Sequence, residues 1–322
     1  MIQEFTYIRA KSIKDALTHL SGEGAKILSG GTDLMGCMRD HVFSLKSVIS
    51  INGLNDLKGI RETAEGLHIG ALVTLTQIAD SPAVNQHYPA LAQGAASAAS
   101  PQLRNQGTLG GNLCQKPRCW YYRGEFHCLR KSGDRCFAVA GENHYHCILG
   151  GEGCYIVHPS DTAPALIAYN ATVHIVGPRG RRFIPLENFF VLPAQVITRE
   201  TVLEPGEIVT EIVLPFPAQG MRSSYRKVRA RSSWDFAVAG VAIAVHFKGD
   251  IVAGARIVLS GAAPIPWRSK EAEDAITGKR LDSDNARKAG AATVSNAQPL
   301  AHNGYKIPLF KGIIEDALTA IA

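Results

Sequence analysis

The chain has 322 residues, of which 46% are hydrophobic and 19% charged. That balance excludes a disordered chain and supplies core material for about two domains. The net charge, 34 − 28 = +6, is too small for this length to call for nucleic acid, and apolar runs such as residues 236–245 fall far short of the ~20 residues that a membrane span needs.

In chain order, Ser12 is placed to cap a helix with Ala16, Leu17 and Leu20 on one face. Residues 25–28 read as a short buried strand running into Ser29-Gly30-Gly31-Thr32-Asp33. Residues 47–51 and 67–72 read as further strands, 74–79 as a short helix and 89–99 as an Ala-rich helix. Residues 104–113 read as a Gly-rich turn region. Residues 163–168 suit a helix and 172–176 a strand, and the apolar run 212–214 is stopped by Pro215 and Pro217. Beyond it, 225–231, 237–247 and 251–259 read as strands, then 269–276, 283–294 and 308–321 as helices. The pattern is α+β. A domain over residues 1–219 carries an insert at 114–154. A small α+β domain with a three-stranded antiparallel sheet follows over 220–322.

Cysteine usage is the unusual feature. Cys37 stands alone, and Cys114, Cys119, Cys128, Cys136, Cys147 and Cys154 fall within 41 residues. A secreted disulfide scaffold spreads its cysteines through a small chain. This larger chain starts without an apolar signal-peptide run, which points to metal or redox use instead. No C-x2-C knuckle is present. The closest pair, Cys114 and Cys119, is a C-x4-C without a matching second knuckle. Four thiolates suit zinc or an iron–sulfur cluster, and wide spacing with many glycines favours the larger group. A bare loop of this length is unexpected in a compact domain, so the segment reads as wrapped around something. His127, His144 and His146 are extra candidate ligands.

Four other features are candidates for chemistry. Residues 27–34 (ILSGGTDL) put two glycines between a strand and a helix. That arrangement makes an anion nest, or a tight turn with Thr32 or Asp33 as helix cap. Residues 108–112 (TLGGN) repeat the paired-glycine turn, and two such loops suit a long ligand with two phosphates and a flat ring. The basic run Arg222, Arg226, Lys227, Arg229, Arg231 reads first as a strand with one solvated face, although one of its cations could reach a flavin or a phosphate. Within His158-Pro159-Ser160-Asp161, the carboxylate suits either a cofactor hydrogen bond or a helix N-cap.

Taken together these segments resemble the flavoprotein (medium) subunit of the molybdenum hydroxylases. ILSGGTDL and RNQGTLGGNL are similar to that family's two FAD loops, YRKVRARSSWDFAVAGVAIAV to the opening of its C-terminal domain, and AQPLAHNGYKIPL to a stretch near its end. The resemblance implies a bipartite FAD-binding domain of two α/β subdomains, of the PCMH type. Leu28, Ser29, Gly30, Gly31, Thr32, Asp33 and Leu34 would wrap the pyrophosphate. Thr108, Leu109, Gly110, Gly111 and Asn112 would line the rest of the cofactor, with Ala98, Gln115, Asp161 and Lys227 as further contacts.

The insert is similar to that of a subgroup with an extra [4Fe–4S] cluster in the flavoprotein, which includes 4-hydroxybenzoyl-CoA reductase and aldehyde oxidoreductases. The matching ligands would be Cys119, Cys128, Cys136 and Cys154, spaced C-x8-C-x7-C-x17-C. Cys147 stands outside that pattern and is an alternative fourth ligand. Cys37 and Cys114 would be small buried residues or lie near the flavin. Arg118, Arg123, Arg130 and Arg135 would tune the cluster.

The resemblance implies an oxidoreductase subunit that passes electrons between [2Fe–2S] and molybdopterin subunits and an external acceptor, in aldehyde or heterocycle oxidation. No catalytic residue for substrate chemistry is expected in this chain. The alternative is electron input in the reductive direction. A rival of another class is a zinc-stabilised binding module without flavin. The partners would be a large molybdopterin-binding subunit and a small [2Fe–2S] subunit, with no nucleic acid and no membrane insertion. The expected compartment is the cytoplasm, or the periplasm by co-export with a signal-bearing partner.

Overall fold

In the computed structural model, which describes residues 2–322, strand β1 (Thr6–Arg9) precedes helix α1 (Ile13–Leu20). The Ser12 hydroxyl accepts the Asp15 N–H at 3.0 Å and closes the first helical turn, and Ala16 is buried as the pattern expects. Strand β2 (Ala25–Leu28), helix α2 (Leu34–Arg39) and strand β3 (Ser47–Ser50) follow. The three strands form a parallel sheet in the order β1-β3-β2, with Thr6 and Ala25 both opposite Ser47.

The second subdomain rests on a five-stranded antiparallel sheet. Its strands are β4 (Ile60–Thr63), β5 (Gly66–Gly70), β6 (Thr172–Gly177), β7 (Gly180–Pro185) and β8 (Ile208–Leu214), in the order β4-β5-β8-β6-β7. Between β5 and β6 come α3 (Leu75–Asp80), α4 (Pro82–His87), α5 (Pro89–Ser97), α6 (Pro101–Gln106), α7 (Leu109–Leu113), α8 (Trp120–Arg123) and α9 (Thr162–Ala168). Proline opens α4, α5 and α6, where its missing N–H costs nothing.

Helices α6 and α7 correct the expectation of a Gly-rich turn over 104–113. Gly110 and Gly111 lie inside α7. Each glycine costs that helix about 1 kcal/mol. The Thr108 cap on the Gly111 N–H and the complete burial of Leu109 and Leu113 offset the cost. The insert is irregular as expected, with α8 and one 3₁₀ turn (Leu129–Lys131).

The C-terminal domain has an antiparallel sheet of four strands, not the three expected. Strands β9 (Met221–Val228), β10 (Ala239–Lys248) and β11 (Ile251–Ser260) are joined by the edge strand β12 (Trp267–Arg268), in the order β12-β11-β10-β9. Two residues are too few to show a period in sequence. Helices α10 (Lys270–Ile276), α11 (Ser283–Thr293) and α12 (Lys306–Thr319) cover one face.

Strand β10 explains how the domains meet. Val241, Ile243 and Val245 pack with Phe310 and Ile314 on the helical side, whereas Ala242 and Ala244 belong to the core of the first domain. The small residues let the sheet approach α9, a helix buried along its whole length that packs on β10 and β11. Among the described residues, no helix is long and apolar enough to cross a membrane.

Candidate functional site

Strand β2 delivers the first glycine loop and α6 the second, and the loops meet back to back. Ser29 Oγ and Thr108 Oγ1 share a hydrogen bond at 3.0 Å. A Cβ on Gly30 would stand 1.8 Å from the Gln106 carbonyl oxygen, and Gly31 takes a left-handed φ of +74°. Neither position tolerates a side chain. The loops line an elongated cleft enclosing about 1990 Å³ of atom-free space, including its mouth. Ser29, Gly30, Gly31, Thr32, Asp33 and Leu34 lie on its wall, with Thr108, Gly110, Gly111 and Gln115.

Six of the proposed cofactor residues lie elsewhere. Leu28 packs beside Met38, Leu45 and Val48, and Leu109 is fully buried in the main core. Asn112 turns toward α9, where its Oδ1 accepts the hydroxyls of Ser160 and Thr162 at 2.5 and 2.7 Å. Ala98 is buried, and its carbonyl accepts from Arg104. Asp161 and Lys227 pair with each other at 2.7 Å across the domain seam, and Tyr225 donates its hydroxyl to the second Asp161 oxygen at 2.7 Å. Burial pushes the Asp161 carboxyl up, against the pull of the Lys227 ammonium. The cap of α9 is Ser160, whose Oγ accepts the Ala163 N–H, and not the Asp161 carboxylate.

The cleft also contains residues that no motif marked: Lys26, Lys116, Arg199 and Glu200. Arg199 and Glu200 are neighbours in sequence, and the chain path brings them to Lys26 and Lys116. Arg199 Nε is buried there without a hydrogen-bond partner. Cys37 and Cys114 line the cleft too. Burial, aided by Asp33, pushes the Cys37 thiol up to about 11, and burial pushes Cys114 up to about 12. Both therefore stay protonated near neutral pH. Asp33 does not cap α2. Instead it accepts the Lys116 N–H at 2.7 Å and pairs with Arg118 and Arg123, each at 2.7 Å.

The insert encloses a second, smaller cavity of about 300 Å³ on the same measure. Cys119, Cys128, Cys136 and Cys154 all line it, and Cys147 does not. Cys147 is buried to one side, with its backbone paired to Tyr155 and Asn303. All seven cysteines are free thiols. Zinc would draw four sulfurs to about 3.8 Å from one another, given its bond length of ~2.3 Å. Among the described residues, no three His, Cys, Asp or Glu side chains stand close enough to share one metal ion. The four thiols surround a common volume.

Burial pushes the Cys119 thiol up to about 12 and raises Cys154 as well, while Arg130 pulls Cys154 back. Metal binding would displace such protons. Of the histidines, only His146 reaches the cavity, with Nε2 3.3 Å from Cys119 Sγ; His127 and His144 are exposed. Of the four arginines expected to tune the site, Arg130 alone lines the cavity. Arg118 and Arg123 are held by Asp33, and Arg135 is exposed beside Asp134.

The family model for the FAD binding domain in molybdopterin dehydrogenase matches residues 3–217, and that for the CO dehydrogenase flavoprotein C-terminal domain matches residues 223–321. The chain belongs to the FAD-binding medium subunits of the molybdenum hydroxylases. It is 34% identical over 322 residues to the aldehyde oxidoreductase FAD-binding subunit PaoB of Escherichia coli, covering 98% of each chain. It is 29% identical over 323 residues to the carbon monoxide dehydrogenase medium chain of Hydrogenophaga pseudoflava, covering 98% of this chain and 96% of that one. In structure it matches carbon monoxide dehydrogenase from Hydrogenophaga pseudoflava with a TM-score of 0.80 at 29% identity, over 100% of this chain and 98% of that one.

For such a flavoprotein subunit the cleft has fitting chemistry. Its wall combines paired glycines, the hydroxyls of Ser29, Thr32 and Thr108, and the cations Lys26, Lys116 and Arg199. That donor set suits a diphosphate.

Proposed function

We propose that this chain is the FAD- and [4Fe–4S]-carrying electron-transfer subunit of a molybdenum-dependent oxidoreductase acting on aldehydes or aromatic heterocycles. The observation that carries the proposal is the convergence of Cys119, Cys128, Cys136 and Cys154, four residues spread over the insert, on one cavity. The identity to an aldehyde oxidoreductase FAD-binding subunit supports the substrate class. Bound FAD exchanges electrons singly or in pairs, and an iron–sulfur cluster exchanges them one at a time.

The residues of this chain bind and orient. The Gly30-Gly31 loop and the Thr108 cap shape the cleft for the diphosphate, and Lys116 and Arg199 oppose its charge. The four cysteines hold the cluster, and Tyr122, Phe137 and Ile156 keep water from it. The molybdenum site and its substrate acid–base chemistry belong to a large partner subunit, with a small [2Fe–2S] subunit between the two. The cytoplasm is the proposed compartment.

Anaerobic purification of the complex tests this reading. It should give FAD with about four iron and about four sulfide for each copy of this chain, beyond the [2Fe–2S] content of the partner. Zinc in place of iron and sulfide would overturn the cluster assignment. Cys154→Ser should lose the cluster while Cys147→Ser keeps it, and the reverse result would reassign the fourth ligand.

A further inference from the structure

The two cavities share one buried side chain. Glu200, 5% exposed, accepts from Lys116 Nζ at 2.5 Å through Oε2 and from Arg130 Nη2 through Oε1. Glu200 and Lys116 stand on the wall of the cofactor cleft, and Arg130 on the wall of the cysteine cavity. Arg130 is held from several sides: Nη1 donates to the Ile197 carbonyl at 2.5 Å, and the guanidinium lies over the Tyr122 ring at 5.6 Å. Its Nε–H is buried with no partner in the protein. A buried N–H left unmatched at a cavity wall marks a site that expects an acceptor there.

We propose that Arg130 is the hydrogen-bond donor and fixed positive charge for the group held by the four cysteines, and that Glu200 is the positioning residue that aims it. The inference rests on the reading that this group is an iron–sulfur cluster. When such a cluster takes up one electron its core becomes more negative by one charge. A cation and an N–H donor at its sulfurs favour the reduced form. Glu200 acts in the opposite sense, because its negative charge partly cancels that of Arg130. Since it also holds Lys116 at the cleft, it places one charge between both redox sites, where the low dielectric lets it act on each.

The test is a redox titration of the purified complex, with the cluster followed by electron paramagnetic resonance and with iron and sulfide counted in every sample. Arg130→Gln should make reduction about tenfold less favourable, a drop of about 59 mV for one electron. Arg130→Lys keeps the charge and should recover part of that shift. Glu200→Gln preserves shape and hydrogen-bond reach while removing the negative charge, so the midpoint should move upward. Opposite shifts from two contacting residues are not what a merely structural role would give. If Arg130→Gln fails to keep its cluster, the upward shift in Glu200→Gln carries the test. Full iron and sulfide with unchanged midpoints in the variants would overturn this inference alone. Absence of iron and sulfide from the unaltered protein would remove the cluster reading, and the inference with it.

Discussion

Gly30→Ala is the most direct probe of the two-loop cleft. The added Cβ would sit 1.8 Å from the Gln106 carbonyl oxygen and 2.6 Å from its carbon. Real Cβ contacts essentially never fall below 3.0 Å, so the loops must part by at least 3.0 − 1.8 = 1.2 Å. The obstacle is backbone and cannot rotate away. The loops are also tied at Ser29 and Thr108 by a 3.0 Å hydrogen bond that the separation would break. Overpacking of this kind costs about 1–3 kcal/mol, and a displacement near 1 Å in a built site can cost about 100-fold in its function. The expected outcome is at least a tenfold loss of FAD affinity and a lower melting temperature. The assay is FAD fluorescence titration of the deflavinated complex beside thermal denaturation. Gly312→Ala is the control, because its Cβ meets nothing within 4 Å and alanine should stabilise α12 by up to about 1 kcal/mol. If Gly30→Ala binds FAD as the unaltered protein does and melts with it, the two loops do not form the cofactor wall.

Three further outcomes are expected. Lys227→Met leaves the buried Asp161 with only Tyr225 as partner and should cost about 3–5 kcal/mol in denaturant unfolding, much of it regained on adding Asp161→Asn. Thr108→Val removes the cap of α7 and the link to Ser29; it should cost about 1 kcal/mol and weaken FAD retention, whereas Thr108→Ser should restore both. Glu187 joins the first domain to Arg256 at 2.6 Å and to Arg268 at 3.2 Å. Burial pushes its carboxyl up, but those arginines outweigh it and hold the pKa below the ordinary 4.5. A depressed folded-state pKa means stability that is present above the unfolded value and lost as pH falls through the folded one. The unfolding difference between the protein and Glu187→Gln should therefore be full at pH 7 and shrink below about 4.5; a gap that stays constant into strong acid would contradict this account.

The legible parts of the fold were those where one short pattern decides the outcome. Ser12 and Ala16 marked α1, and the apolar run over 237–247 marked a strand, which the structure buries on both faces. The missed strands β1, β4 and β7 are short, exposed and rich in charged or polar residues; they exist because neighbouring strands offer them hydrogen bonds, a non-local cause. The same division holds in the site. Gly30 and Gly31 were readable because a backbone requirement selects them. Glu200 and Arg199 were not, because a charged pair in a loop looks like any solvated one until the fold turns it inward. Asp161 and Lys227 were marked by motif, but their pairing with each other across the domain seam was not, because it joins residues far apart in sequence.

The insert is part of the cofactor cleft and not an appendage to it. Lys116 contributes its backbone N–H to Asp33, and Arg118 and Arg123 close on the same carboxylate. Asp33 sits in the first glycine loop, so the chain that leaves α7 is stitched at once to the loop that it must face. Lys116 then turns its ammonium to Glu200, which reaches Arg130 on the cysteine cavity. The side-chain steps in that sequence are charge pairs, Asp33 with Arg118 and Arg123 and Glu200 with Lys116 and Arg130, and the Lys116 backbone N–H joins the two groups. A segment with so little regular structure could not hold four cysteines around a common space by hydrophobic packing alone. The path from Asp33 to the Lys116 backbone N–H, and from the Lys116 ammonium through Glu200 to Arg130, supplies the missing restraint.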